Sequence, residues 1–276
     1  MFDRSASEGM NDTQNSSVQL IDKTVRVLDC FSSERPVLSL SEIRDMVGLP
    51  ATTVNRLVQS LTTNEVLQSE EGGYRLGVRA MTWSAAATAG SDLIEAAQPT
   101  LKDLRNRLGE TSGLYVRRGR GRVVVATEMS NQAIVYRAYV GQVLPMHAGA
   151  AAWVFLAFDP QALFLTRADE DPAVQAVVAN REALDTRLES IRSRGYAFTE
   201  GERFKGLNSV AAPVFGKSGG LEAVLAIGAP SFRLGNEEAE AAGAVLVESG
   251  QTLSRRLGYK PHHGQNATPR AAGSTK

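Results

Sequence analysis

Ser39 to Gly77 reads S-L-S-E-I-R-D-M-V-G-L-P-A-T-T-V-N-R-L-V-Q-S-L-T-T-N-E-V-L-Q-S-E-E-G-G-Y-R-L-G, and the spacing of its apolar residues decides how the N-terminal third folds. Leu40, Ile43 and Val47 fall on one helical face. Ser39 or Ser41 can cap that helix, and Glu42 lies in its first turn, where a carboxylate suits the helix dipole. Gly48 stops it, because glycine enters the left-handed conformation without steric cost. Pro50 suits the start of the next helix, where its missing N–H has no partner to lose. There Val54, Leu57, Val58 and Leu61 form the buried stripe. The opposite face carries Thr52, Thr53, Asn55, Arg56 and Gln59, which hydrogen-bond without heavy charge. Val66 to Gln68 and Tyr74 to Leu76 read as a hairpin turned at Glu70-Glu71-Gly72-Gly73. The whole stretch predicts a winged helix-turn-helix. Base edges offer donors and acceptors, and phosphates accept from hydroxyls, amides and guanidinium groups. Thr52, Thr53, Asn55, Arg56 and Gln59 are therefore the candidate contacts to double-stranded DNA, with Arg44 and Arg75 beside them. The bland alternative is a solvated helical hairpin inside a larger fold.

Charge does not by itself announce a nucleic-acid partner. Lys+Arg and Asp+Glu both number 30 in the 276 residues. Between Val18 and Ala80 seven basic residues face eight acidic ones. Affinity for DNA must then come from local placement and from dimerisation rather than from a global field. The single cysteine, Cys30, excludes a disulfide framework within one chain, and its apolar neighbours make it a core thiol. There is no long apolar run and no secretory signal, so a cytoplasmic protein with no membrane partner is expected.

The order Gly48-Leu49-Pro50, Thr52-Thr53-Val54, Arg56-Leu57, with a wing closing in Tyr74, Leu76 and Gly77, resembles the reader domain of the IclR family of bacterial transcriptional regulators. Further landmarks are Leu144-Pro145-Met146-His147, Arg194-Gly195-Tyr196-Ala197 and Ala211-Ala212-Pro213-Val214, so the resemblance spans about residues 18 to 258. It implies a two-domain α+β protein, a winged helix-turn-helix followed by a GAF-like or profilin-like effector-binding domain. The layout expected is a disordered stretch 1–17, the reader 18–77, a linker helix 78–97, the effector-binding domain 98–258 and a flexible tail 259–276. The resemblance also implies a homodimer or a dimer of dimers that controls a catabolic operon in response to a small organic acid.

The second half supports that layout by its own pattern. Gly113 to Arg117, Arg122 to Glu128, Ile134 to Tyr139, Tyr196 to Thr199, Asn208 to Phe215 and Leu221 to Gly228 read as strands. Ala148 to Phe158, Pro172 to Arg194 and Asn236 to Leu257 read as helices. Carried over by position from the family, the effector-binding candidates are Gly149, Ala150, Ala151, Thr199, Leu207, Ser209, Ala226 and Gly228. Helix-start N–H groups near Gly149 to Ala151 suit a carboxylate. The family commonly has Gly-Lys where this chain has Ala152-Trp153, and some members carry serines near Ala226 and Gly228. The pocket is thus expected to be less polar, which suits a larger organic acid, aromatic ones included.

No catalytic constellation is present. The histidines are His147, His262 and His263. No G-x-S-x-G, H-E-x-x-H or P-loop occurs, and Gly216 to Gly220 joins two strands rather than opening a helix. No enzyme activity, metal or cofactor is expected. The alternatives are a small-molecule enzyme on the GAF-like half, or a protein-interaction module that does not bind DNA.

Overall fold

The structure, a computed structural model, describes residues 19–260. The expected disordered N-terminus and nearly all of the expected tail, with His262 and His263, lie outside the described residues. The chain divides into two compact units, one ending at Gly90 and the other beginning at Ser91.

The N-terminal unit runs α1 (19–28), β1 (Val37–Leu38), α2 (Leu40–Val47), α3 (Ala51–Thr63), β2 (Leu67–Glu70), β3 (Gly73–Leu76) and α4 (Val78–Ala89). Ser39 is the residue that caps α2. Its Oγ accepts from the Glu42 N–H at 3.2 Å, while the Glu42 carboxylate accepts from the Ser39 N–H at 2.8 Å, a reciprocal capping box. Gly48 ends α2 at φ 61°, and Pro50 precedes α3. Ile43, Val47, Val54, Leu57, Val58, Leu61 and Leu67 form the core with Val27, Cys30 and Phe31. The wing is a three-stranded sheet in the order β1-β3-β2. The short β1 carries too little pattern to be found from sequence. Gly73 lies against it so closely that a Cβ there would sit 2.2 Å from the Leu38 carbonyl oxygen.

Helical spacing puts Leu20 or Ile21, Val25, Leu28 and Phe31 on the inner face of the first helix. The structure buries Phe31 and packs Leu28 partly buried against the core as expected, but it adds Val27 and Cys30 and leaves Leu20, Ile21 and Val25 exposed. The helix is one turn shorter than the apolar pattern, and Phe31 reaches the core from beyond its end. In α4 no residue is buried, and Met81 and Trp83 are open to solvent. Trp83 is therefore not a core residue of this unit.

The C-terminal unit runs α5 (Asp92–Leu108), β4 (Thr111–Arg118), β5 (Gly121–Glu128), β6 (Val143–Pro145), α6 (Ala150–Phe158), α7 (Pro160–Arg167), α8 (Pro172–Val178), α9 (Arg181–Arg194), β7 (Ala197–Glu200), β8 (Leu207–Phe215), β9 (Leu221–Pro230) and α10 (Asn236–Arg256). Its strands form an antiparallel sheet in the order β6-β5-β4-β9-β8-β7. Period-2 alternation divides the core between the two faces. Ala211, Val224 and Ala226 pack with α6 and α9, whereas Val210, Ala212, Val214, Leu225 and Ile227 pack with α5 and α10.

Five places differ from the sequence reading. The expected linker helix 78–97 is two helices, because α4 ends at Ala89 and Ser91 caps a new start at Asp92, and the short β6 is a strand that the sequence reading lacks. Ile134 to Tyr139 is not a strand but part of a loop, held where Arg233 donates to the Ile134 carbonyl at 2.8 Å. Pro172 to Arg194 is two helices, because Asn180 caps a new start at Arg181. Asp159-Pro160 ends α6 and also begins α7: Asp159 Oδ1 accepts from the Gln161 N–H at 2.9 Å, with proline at the first helical position.

Candidate nucleic-acid interface and ligand cavity

On α3, burial of Val54, Leu57, Val58 and Leu61 turns the opposite face outward. Thr52, Asn55, Arg56 and Gln59 are exposed and Thr53 is half-buried. Arg44 reaches across from α2, and its Nη2 donates to Asn55 Oδ1 at 2.5 Å. Arg75 on β3 pairs with Glu70 Oε2 at 3.3 Å, both side chains remaining about half exposed. An open groove runs between α3 and the wing, with Asn55, Gln59 and Thr63 on one wall and Ser69 and Tyr74 on the other. The seven candidate contacts thus divide between one helix face, its supporting arginine and one wing strand.

In the C-terminal unit a depression forms where the sheet meets the start of α6. Thr199, Ser209 and Gly228 stand in one cross-strand row, paired β7 to β8 and β8 to β9. Thr199 Oγ1 and Ser209 Oγ lie 2.9 Å apart, and Ser209 Oγ accepts from the Ala150 N–H at 3.2 Å. Gly149, at φ 91°, turns the chain into α6. The eight positions Gly149, Ala150, Ala151, Thr199, Leu207, Ser209, Ala226 and Gly228 all line one cavity. Its enclosed space is about 30 Å³, room for a water or two and not for an organic ring.

The start of α6 is already engaged. Gly149 N–H donates to Glu202 Oε2 at 2.9 Å, and the Trp153 indole N–H donates to the same oxygen at 2.8 Å. Arg187 Nη2 donates to Glu202 Oε1 at 2.6 Å, and its guanidinium lies 3.5 Å from the centre of the Trp153 ring. Trp153 is therefore part of a closed set of charge and ring contacts.

Five further residues complete the cavity: Tyr115, Arg122, Tyr136, Arg203 and Ile227. They make it more polar than the sequence implied. Arg122 on β5 is 2% exposed. It donates through Nη1 to the Pro145 carbonyl and through Nη2 to the Ala148 carbonyl at 2.8 Å, while its Nε, also buried, has no partner. Burial pushes its pKa down to about 10, with the charge of Arg203 acting in the same direction. Burial also pushes the Tyr115 phenol well above its ordinary range. Arg203 Nη1 donates to the Tyr136 hydroxyl at 2.7 Å. Arg122 carried a signal in the sequence, since alternation with the buried Val124 places a cation on an inward strand position. Tyr136 and Arg203 stand on loops, where no periodicity marks them.

Among the described residues no cluster of three or more side chains could hold a metal ion, and no helix is long and apolar enough to cross a membrane.

Comparison with known proteins adds two family matches. Residues 20–71 match the IclR helix-turn-helix domain, and residues 85–255 match the C-terminal domain of bacterial transcriptional regulator IclR. The HTH-type transcriptional regulator XynR of Escherichia coli strain K12 is 28% identical over 247 residues, which span 88% of this chain and 98% of that protein. A crystal structure of an IclR transcriptional regulator from Alicyclobacillus acidocaldarius is 23% identical and superposes with a TM-score of 0.76, covering 87% of this chain and 99% of that one. An IclR homologue from Microbacterium hydrocarbonoxydans, solved in complex with 4-hydroxybenzoate, is 24% identical with a TM-score of 0.69, covering 86% of this chain and 98% of that one.

Proposed function

The chain belongs to the IclR family of bacterial transcriptional regulators, and from that footing we propose that it is a ligand-responsive regulator whose α3 reads an operator while the cavity at the start of α6 senses a small organic acid. The observation that carries the sensing half is the convergence of all eight carried-over positions on one cavity that also holds two arginines. The reading half rests on the helix-turn-helix match and on the exposed hydroxyl, amide and guanidinium face of α3. Thr52, Thr53, Asn55, Arg56 and Gln59 contact the duplex, with Arg44 and Arg75 at the edges.

The regulator acts in the cytoplasm as a homodimer or a dimer of dimers. Paired readers then reach successive major grooves about 34 Å apart. The exposed apolar side chains Leu20, Ile21, Val25, Met81 and Trp83 supply surface for contacts between subunits. The acid regulates only by favouring one arrangement of the paired readers, since equal affinity for both states shifts nothing. Aromatic acids are favoured members of the class, supported by the 4-hydroxybenzoate held by the homologue and by the two tyrosines in the lining. The target is a catabolic operon, and the protein has no catalytic role of its own.

Sequencing the genomic DNA fragments retained by the full chain tests the reading. Wild type enriches one shared site, a panel of organic acids changes its occupancy, and the double variant Thr52→Ala, Arg56→Ala enriches none. Equal recovery by wild type and variant contradicts the assignment of α3.

A further inference from the structure

Thirteen residues line the cavity; two of them are arginines and none is acidic. Arg122 is fixed: two backbone carbonyls hold its Nη atoms, and its Nε is buried with no partner. Arg203 is not fixed in the same way. It stands on the strap 201–206, between Gly201 at φ 61° and Gly206 at φ 83°, and it donates to a phenol hydroxyl, that of Tyr136, rather than to a carboxylate. Glu202, the acidic neighbour on the strap, is committed to Arg187, Trp153 and the Gly149 N–H. The two arginines also converge in space. A Cβ added to Gly149 would lie 3.2 Å from Arg122 Nη2 and 3.1 Å from Arg203 Cδ, so glycine leaves room for both.

Resting on the acid-sensing reading, we propose that the ligand of this cavity carries two acidic groups, one received by the fixed Arg122 and the other by the strap-borne Arg203. The reason is charge balance between a buried cation, Arg122, and a half-buried one, Arg203. A buried cation is tolerated when an anion pairs with it and completes its hydrogen bonds, and is unfavourable when left alone. A monoanion satisfies one guanidinium and leaves the other unpaired; a dianion satisfies both. Guanidinium suits this task because its planar fork takes a carboxylate through two parallel hydrogen bonds. The present enclosed space, about 30 Å³, holds no such ligand. The strap therefore swings out on entry, Arg203 leaves Tyr136, and it returns onto the second carboxylate. Closure is then tied to the presence of the second charge, which lets the site discriminate a diacid from a monoacid of the same shape.

The test uses the full chain and matched probes that differ by one charge: terephthalate against its half-amide 4-carbamoylbenzoate, and adipate against adipamate. Calorimetry and thermal shift at equal ionic strength compare each pair. For at least one skeleton the diacid is expected to bind at least about tenfold more tightly than the half-amide, as fits loss of one part-buried charge-assisted pair. Arg203→Gln, a substitution on a loop, is expected to bring that ratio to about one while the half-amide keeps its affinity. Arg122→Lys, which keeps a cation but loses Nε, is expected to weaken both members of a pair. A half-amide that binds as tightly as its diacid overturns the proposal, because one carboxylate then bridges both arginines. So does a diacid preference that survives Arg203→Gln. Absence of heat and of thermal shift with all four probes is a different failure: it counts against acid sensing itself, and the proposal falls with it.

Discussion

Arg44 on α2 donates from Nη2 to Oδ1 of Asn55 on α3 at 2.5 Å. Since a guanidinium has no acceptor, the amide oxygen must face it. Asn55 is then left to offer its Nδ2 hydrogens outward. An asparagine that reads adenine uses both ends of its amide, accepting from N6 and donating to N7. With one of its oxygen's two lone pairs taken, Asn55 in the proposed interface favours base acceptors. Arg44→Ala is expected to release the oxygen, lower overall affinity and move one position of each half-site toward adenine, by about 1–3 kcal/mol. Selection from a library randomised over the half-site checks this; identical base profiles for wild type and variant would contradict it.

The capping box of α2 makes a prediction about stability. Ser39→Ala removes both bonds of the Ser39 hydroxyl, the one accepted from the Glu42 N–H and the one donated to its carboxylate, and is expected to destabilise the reader by about 1 kcal/mol. The pH dependence has a definite sign. The Ser39 N–H and hydroxyl, with Arg35 assisting, hold the Glu42 carboxyl below its ordinary 4.5. A depressed carboxyl contributes stability above its unfolded pKa and loses it as pH falls through the folded one. Stability should therefore decline below pH 4.5, and Glu42→Gln should flatten that decline in urea melts of the reader transition.

Two substitutions in the C-terminal unit separate packing from motion. A Cβ on Gly250 of α10 would lie 2.5 Å from the Pro213 carbonyl oxygen. Alanine normally favours a helix over glycine by about 1 kcal/mol, but a backbone oxygen cannot rotate aside. Gly250→Ala is expected to be destabilising, with the clash costing about 1–3 kcal/mol and outweighing the helix gain. A raised thermal midpoint would show that α10 shifts freely on β8.

A Cβ on Gly228 would instead meet a side chain, Tyr136 Cδ1 at 2.6 Å. That ring stands on a loop and can yield, but its hydroxyl then leaves Arg203. Gly228→Ala is expected to raise hydrogen exchange across 201–206 and to lower the thermal midpoint less than Gly250→Ala does. Unchanged exchange over the strap would mean that Tyr136 does not restrain it.

The reader was the more legible half because its information is local. Ile43, Val47, Val54, Leu57, Val58 and Leu61 declare two helices by period alone, and Gly48 and Pro50 fix the break between them. What failed there was a strand of two residues, β1, and the orientation of α1, whose Leu20, Ile21 and Val25 are apolar without being inside this chain. Periodicity reports that a face is apolar, not what covers it. In the C-terminal unit, β4, β5, β8 and β9 are visible as alternating runs, whereas Ile134 to Tyr139 resembles a strand and finds no neighbour to pair with. The cavity positions came from the family's pattern. Arg122, Arg203 and Tyr136 did not, because their convergence depends on contacts between residues far apart in sequence.

Operator reading by this chain depends most on the polar face of α3 entering a duplex, and on Arg56 meeting a phosphate or base there. Binding of the full chain to a retained DNA fragment should be followed by fluorescence anisotropy at two salt concentrations, for wild type and for Arg56→Ala. The expected result is weaker binding by the variant and a salt slope reduced by about one counterion per arginine removed. Equal affinity of the two proteins at both concentrations would contradict the account.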